Sequence, residues 1–213
     1  MGRIITGLRS DSHNKDAVWV YLDGERFARI SDADVVDLGL HRGLELTPQQ
    51  IKEVLRRSKL FDARLTAVRL LSYRPRSRAE LVRRLKTRGF NREIIQEVVE
   101  QLQRLGYVDD EGYAHSLAQS LAQSGRFGPR AIRAKLRQRG LPADVVREAV
   151  DEVASEMDEY EAARQLAERR LERLRSLDPL KRRQRLYSFL MRRGFSPEVV
   201  RDVLASVLPA DEE

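Results

Sequence analysis

The apolar positions of this chain fall into one pattern written three times. Leu81, Leu85, Gly89, Phe90, Ile94, Ile95, Val98, Val99 and Leu102 recur as Ile132, Leu136, Gly140, Leu141, Val145, Val146, Ala149, Val150 and Val153. They recur again as Leu186, Leu190, Gly194, Phe195, Val199, Val200, Val203, Leu204 and Val207. The three glycines stand 51 and 54 residues apart. On either side of each glycine the apolar residues keep the spacing of one helix face, and the glycine predicts a helix end in the left-handed conformation that it alone adopts without steric cost. Each copy therefore reads as a helical unit, and the chain as a tandem array of them.

Start and stop signals fill in the units. Leading into the first is a stripe of Ala63, Ala67, Leu70 and Leu71; Ser77 with Glu80 is a capping box for a second helix, and Gly106 ends a third. The second unit begins near Glu111, with Gly125 after its first helix and Pro129 and Pro142 opening the next two. The third has Asp158 and Glu161 at capping spacing, then Asp178-Pro179 and Ser196-Pro197 as starts. No Gly or Pro lies between Pro142 and Pro179, so a continuous helix through 148–161 is also open.

Upstream the period changes to two. Residues 18–22 and 25–30 flank Asp23-Gly24, a pairing that favours a hairpin with a type I′ turn, and a preceding strand over 3–8 would complete a meander. Trp19 and Tyr21 fall on one strand face, where packing against the protein is expected rather than stacking on a base. Ser31 with Asp34 caps a short helix that Gly39 ends, and Thr47-Pro48 starts another. The predicted fold is mainly α: an N-terminal α+β region over 1–60, then three-helix repeats at 61–110, 111–157 and 158–213.

Charge adds a direction. Forty Lys and Arg against 33 Asp and Glu leave a formal net charge of +7, which suits a polyanion or an acidic protein surface. The excess is local: residues 64–92 hold ten basic side chains and one acidic, 126–139 six basic and none acidic, whereas 148–161 hold seven acidic and none basic. Arg88, Arg139 and Arg193 belong to helix ends, where a cation meets the negative pole, and are assigned to structure. Arg78, Arg130, Arg182 and Arg183 are expected in the first turns of second helices, at the positive pole, where stability does not account for them and an anionic partner would. With no cysteine, no signal peptide and no apolar run of membrane-spanning length, the expected setting is the reducing cytoplasm.

Candidate chemistry is sparse. His13, His41 and His115 are scattered without metal-ligand spacing, Asp109-Asp110-Glu111 reads as a helix cap, and no glycine-rich phosphate loop follows a strand. No enzyme, cofactor or metal site is expected.

The segments 70–81, 85–90 and 106–114, with Gly43-Leu44-Glu45-Leu46-Thr47 and the later Arg-Gly-Leu and Arg-Gly-Phe copies, closely resemble the RecX family of recombination regulators over about residues 15–207. The resemblance implies tandem three-helix repeats and modulation, usually inhibition, of the RecA recombinase by docking along the groove of its filament on DNA. Residues 116–124 depart from it, with Ser, Leu, Ala and Gln where relatives commonly carry basic or aromatic side chains. Filament or DNA contact is expected from Arg76, Arg78, Arg83, Lys86, Arg126, Arg130, Arg137, Lys181, Arg182 and Arg183. The partners implied are the RecA filament and DNA of weak sequence preference, bound by a monomer. The alternative is a free-standing DNA-binding protein of helix-turn-helix-like repeats.

Overall fold

The computed structural model describes residues 2–208. They form two compact units, one of residues up to 75 with 81–108, the other of 76–80 with the residues from 109 on.

In the first unit β1 (Arg3–Asp11), β2 (Asn14–Leu22), β3 (Glu25–Ser31) and the two-residue β4 (Glu45–Leu46) form an antiparallel sheet in the order β3-β2-β1-β4. Asp23 and Gly24 have φ of 51° and 90°, the pair of positive values that a type I′ turn needs. Helix α1 (Asp32–Asp37) is capped by Ser31 and stops before Gly39. One sheet face buries Ile5, Val20, Leu22, Ala28, Ile30 and Leu46 with Val54 of α2 (Pro48–Tyr73).

Helix α2 corrects the prediction of two helices here. It runs unbroken for 26 residues, so position 60, the expected end of the N-terminal region, lies inside it. The cause is in the sequence: neither Gly nor Pro occurs between 49 and 74. Its N-terminal half belongs to the sheet core, and Leu60, Ala63, Ala67 and Leu70 join the core of the first repeat with α3 (Arg78–Thr87) and α4 (Arg92–Arg104). Arg56 of α2 pairs with Glu97 of α4.

The second unit holds α5 (Asp110–Gln123), α6 (Pro129–Gln138) and α7 (Ala143–Glu156) around one core. A second core joins α8 (Glu159–Leu171), a 3-10 turn (Glu172–Leu174), α9 (Pro179–Arg192) and α10 (Pro197–Val207). The helix left open between Pro142 and Pro179 breaks at Met157, whose ψ of 126° is extended, because Asp158 turns to accept from the Glu161 N–H at 2.8 Å. Apart from its glycines, every register position is buried or packed against a repeat core. No described helix is long and apolar enough to cross a membrane.

Leu85, Leu136 and Leu190 are fully buried at equivalent positions, and each Leu→Ala variant is expected to lose about 2–5 kcal/mol in chemical denaturation. In α8, two hydrogen bonds of 2.9 Å from Arg164, with a third from Gln165, hold the Glu161 carboxyl down to about 2 from 4.5. A depressed carboxylate stabilises above its unfolded pKa and loses that contribution as pH falls through the folded one. Between pH 4.5 and about 2 the unfolding temperature of the parent should therefore drop more steeply than that of Glu161→Gln.

Candidate functional site

The start of α3 meets the end of α6, and the start of α6 meets the end of α9. Ser77 caps α3 by accepting from the Glu80 N–H at 3.1 Å, and its hydroxyl donates at 2.5 Å to the Arg139 carbonyl, at the end of α6. The Arg139 guanidinium pairs with Glu80 at 3.1 Å. At the other end of α6, the Gly128 and Arg130 N–H groups donate to the Arg193 and Gly194 carbonyls, at 2.9 and 3.1 Å, where α9 ends. The negative pole of α6 thus meets the start of α3, and the negative pole of α9 meets the start of α6. Among the described residues α6 has no side-chain cap; the backbone of the next repeat takes that place.

At Arg78, Arg130 and Arg182 the fold itself supplies negative groups, which corrects the reading that stability does not account for those three. The Arg78 N–H donates to Asp110 at 2.7 Å, so the positive pole of α3 already faces a carboxylate. Burial pushes that Asp110 carboxyl above its ordinary 3.8, and the Arg78 N–H and charge pull it back. Arg130 lies beside the carbonyls that end α9, a negative pole that favours a cation. Arg182 donates to the carbonyls of Arg175 and Leu177, at 3.2 and 2.9 Å, closing the end of the preceding turn. Measured from the register glycine, α9 starts one turn earlier than α3 and α6 do, so Arg183, which shares the register offset of Arg78, lies a turn further inside its helix than Arg78 and Arg130 do.

Most of the predicted cations point outward. Arg83 and Lys86 are exposed on α3 in the first unit; Arg126, Arg130, Arg137, Lys181 and Arg183 are exposed in the second. Arg76 and Arg182 are half-buried. Arg130 lies in the first turn of α6, with Arg126 just ahead of that helix, and Lys181 and Arg183 lie near the start of α9.

Some features carried little sequence signal. Phe127 lies between Lys135 at 4.2 Å and Arg193 at 5.5 Å, and Arg193 also covers Phe189 at 5.2 Å, so the ring before Gly128 is built into the junction. On α9, Leu180 is 74% and Tyr187 40% exposed. With Arg183, Gln184, Arg201 and Leu204 they line an open cleft of about 520 Å³. Leu180 follows Pro179 outside the register, which was the one available hint.

The comparisons with known proteins agree with this architecture. Residues 63–102 match the family model described as RecX, first three-helix domain; 109–150 match the second three-helix domain and 157–204 the third. A regulatory protein RecX of Chlorobaculum tepidum is 36% identical over 142 residues, covering 67% of this chain and 86% of its own. The chain belongs to the RecX family. The RecX of Clostridioides difficile strain 630 is 28% identical over 209 residues, 98% of each chain. A crystal structure of a regulatory protein RecX superposes with a TM-score of 0.75 at 25% identity, covering 94% of this chain and 98% of that one. The RecX of Lactobacillus salivarius shares the fold at a TM-score of 0.59 and 21% identity, covering 70% and 96%. The RecX three-helix domains begin at residue 63, so the N-terminal sheet lies outside them.

Proposed function

We propose that this chain binds the RecA filament on DNA and modulates RecA recombinase and ATPase activity, in the inhibitory direction, within recombination and DNA repair. The observation that carries the reading is the match of all three RecX three-helix domains in order along the chain. The exposed cations Arg83, Lys86, Arg126, Arg137, Lys181 and Arg183 support it, since side chains of this kind neutralise phosphates or an acidic protein surface. The cleft beside Leu180 and Tyr187 supports a protein component, because apolar side chains exposed together gain nothing from a phosphate backbone. On this reading the chain works as a monomer in the cytoplasm without a cofactor.

The test is the DNA-dependent ATP hydrolysis of RecA, measured with the chain well below the concentration at which it binds DNA alone. Hydrolysis is expected to fall. Unchanged hydrolysis together with sequence-independent DNA binding would select the alternative, a free-standing DNA-binding protein.

A further inference from the structure

The second face of the N-terminal sheet carries two half-buried rings, Trp19 and Tyr21, and α2 reaches its β3 side, where Arg29 bonds Asp62 and lies over the Phe61 ring. Across it, Trp19 pairs with Arg9 of β1 and Arg29 of β3, and Tyr21 pairs with Gly7 of β1 and Arg26 of β3. Cross-strand partners point to the same side of a sheet, and Val18, Val20 and Leu22 alternate to the other. Two aromatic rings therefore share this face with three arginines, while Gly7, opposite Tyr21, contributes no side chain of its own.

The charges of this region are paired off unequally. Arg3 binds Asp23 at 2.8 Å, Arg57 binds Asp34 and Asp37 at 2.7 and 3.0 Å, and Arg29 binds Asp11 and Asp62 at 3.3 and 2.5 Å. Arg9 and Arg26 are exposed, and among the described residues neither has a carboxylate in ion-pair reach. Their guanidinium carbons lie instead over rings, Arg26 at 4.1 Å from Trp19 and Arg9 at 5.1 Å from Tyr21. Arg29, fixed by its two carboxylates, lies 5.6 Å from the same Trp19 ring.

We propose that this face is a stacking platform for single-stranded nucleic acid, built from Trp19, Tyr21, Arg9 and Arg26. Positions two apart on a strand are separated by about 7 Å, close to two base-stacking steps. Aromatic rings with interleaved guanidinium planes accept any base and neutralise its phosphates. An acidic peptide would satisfy the arginines and leave the rings without a partner. A duplex hides the base faces that the rings require. The site lies outside the RecX three-helix domains, and it stands or falls independently of the RecA reading.

Trp19 is the single tryptophan of the chain, so its fluorescence reports this face alone. The full chain, without RecA, is titrated with oligo(dT) while Trp19 emission and the anisotropy of a label on the DNA are followed together. Oligo(dT) is expected to quench Trp19 over the same concentration range in which it binds. Arg9→Gln with Arg26→Gln is expected to weaken the quenching-linked affinity roughly tenfold, the size of one lost stacking contact. Gly7→Val, which fills the flank of Tyr21, should act in the same direction. Binding by anisotropy with Trp19 emission unchanged would place DNA elsewhere and overturn the proposal. Equal quenching by duplex DNA or by polyglutamate would overturn it too, leaving only a patch for any polyanion.

Discussion

Gly194→Ala should destabilise the chain more than the same change at the equivalent Gly89. Both glycines hold left-handed φ, 82° and 87°, and an alanine there costs about 1–2 kcal/mol. At Gly89 a Cβ would meet nothing within 4 Å. At Gly194 it would overlap the backbone nitrogen of Ala131, in the first turn of α6. That turn cannot retreat without losing the Gly128 and Arg130 hydrogen bonds to the end of α9. We expect a loss of roughly 3–5 kcal/mol, or about 10 °C in unfolding temperature, against a few degrees for Gly89→Ala. Gly128→Ala isolates the contact, because its φ of −79° suits any residue while a Cβ would come 2.5 Å from the Gly194 carbonyl oxygen. A Gly194→Ala loss no larger than that of Gly89→Ala, with Gly128→Ala neutral, would show that the close approach of α6 and α9 contributes nothing.

That junction also marks where reading the sequence stopped. Helix faces, caps and the hairpin turn are local: they follow from residues three or four apart, or from Asp-Gly between two β-rich runs, so the repeats and the meander were legible. The continuity of α2 was legible in principle, from the missing breaker, but the shift of apolar pattern near residue 60 suggested two helices. The docking of one helix end on another was not. It joins backbone groups 65 residues apart, Gly128 N–H to Arg193 carbonyl, and backbone groups carry no sequence signal. Its one trace is a glycine at the capping position of α6 where α3 has Ser77, and a missing cap can be read only once something else is seen to replace it.

The same limit explains the cations. Arg78, Arg130 and Arg182 could be placed at helix starts, but the Asp110 carboxylate and the carbonyls that end neighbouring helices come from other segments. The macrodipole of an isolated helix points these residues to an external anion, a place that the fold itself fills. The exposed side chains of the helix faces need no such correction, since outward position follows directly from the register.

Two sets of charge reversals are therefore expected to behave differently. Combining Arg78→Glu, Arg130→Glu and Arg182→Glu should lower the unfolding temperature. Arg182→Glu alone removes two hydrogen bonds and sets a carboxylate against the carbonyls of Arg175 and Leu177, and Arg78→Glu sets one beside Asp110. Combining Arg83→Glu, Lys86→Glu and Arg137→Glu should leave the unfolding temperature within about 2 °C, because these side chains are exposed and surface changes of this kind stay near ±0.5 kcal/mol. If they meet phosphates, losing three contacts lowers DNA affinity on the order of a hundredfold near physiological salt and flattens the slope of log affinity against log salt by about 2 to 3. RecA ATP hydrolysis should then escape inhibition by a chain that is still folded. A variant that keeps its DNA affinity and salt slope would move the phosphate contacts off these helix faces, and Arg126, Arg183 and Lys181 would be the cations to reverse next.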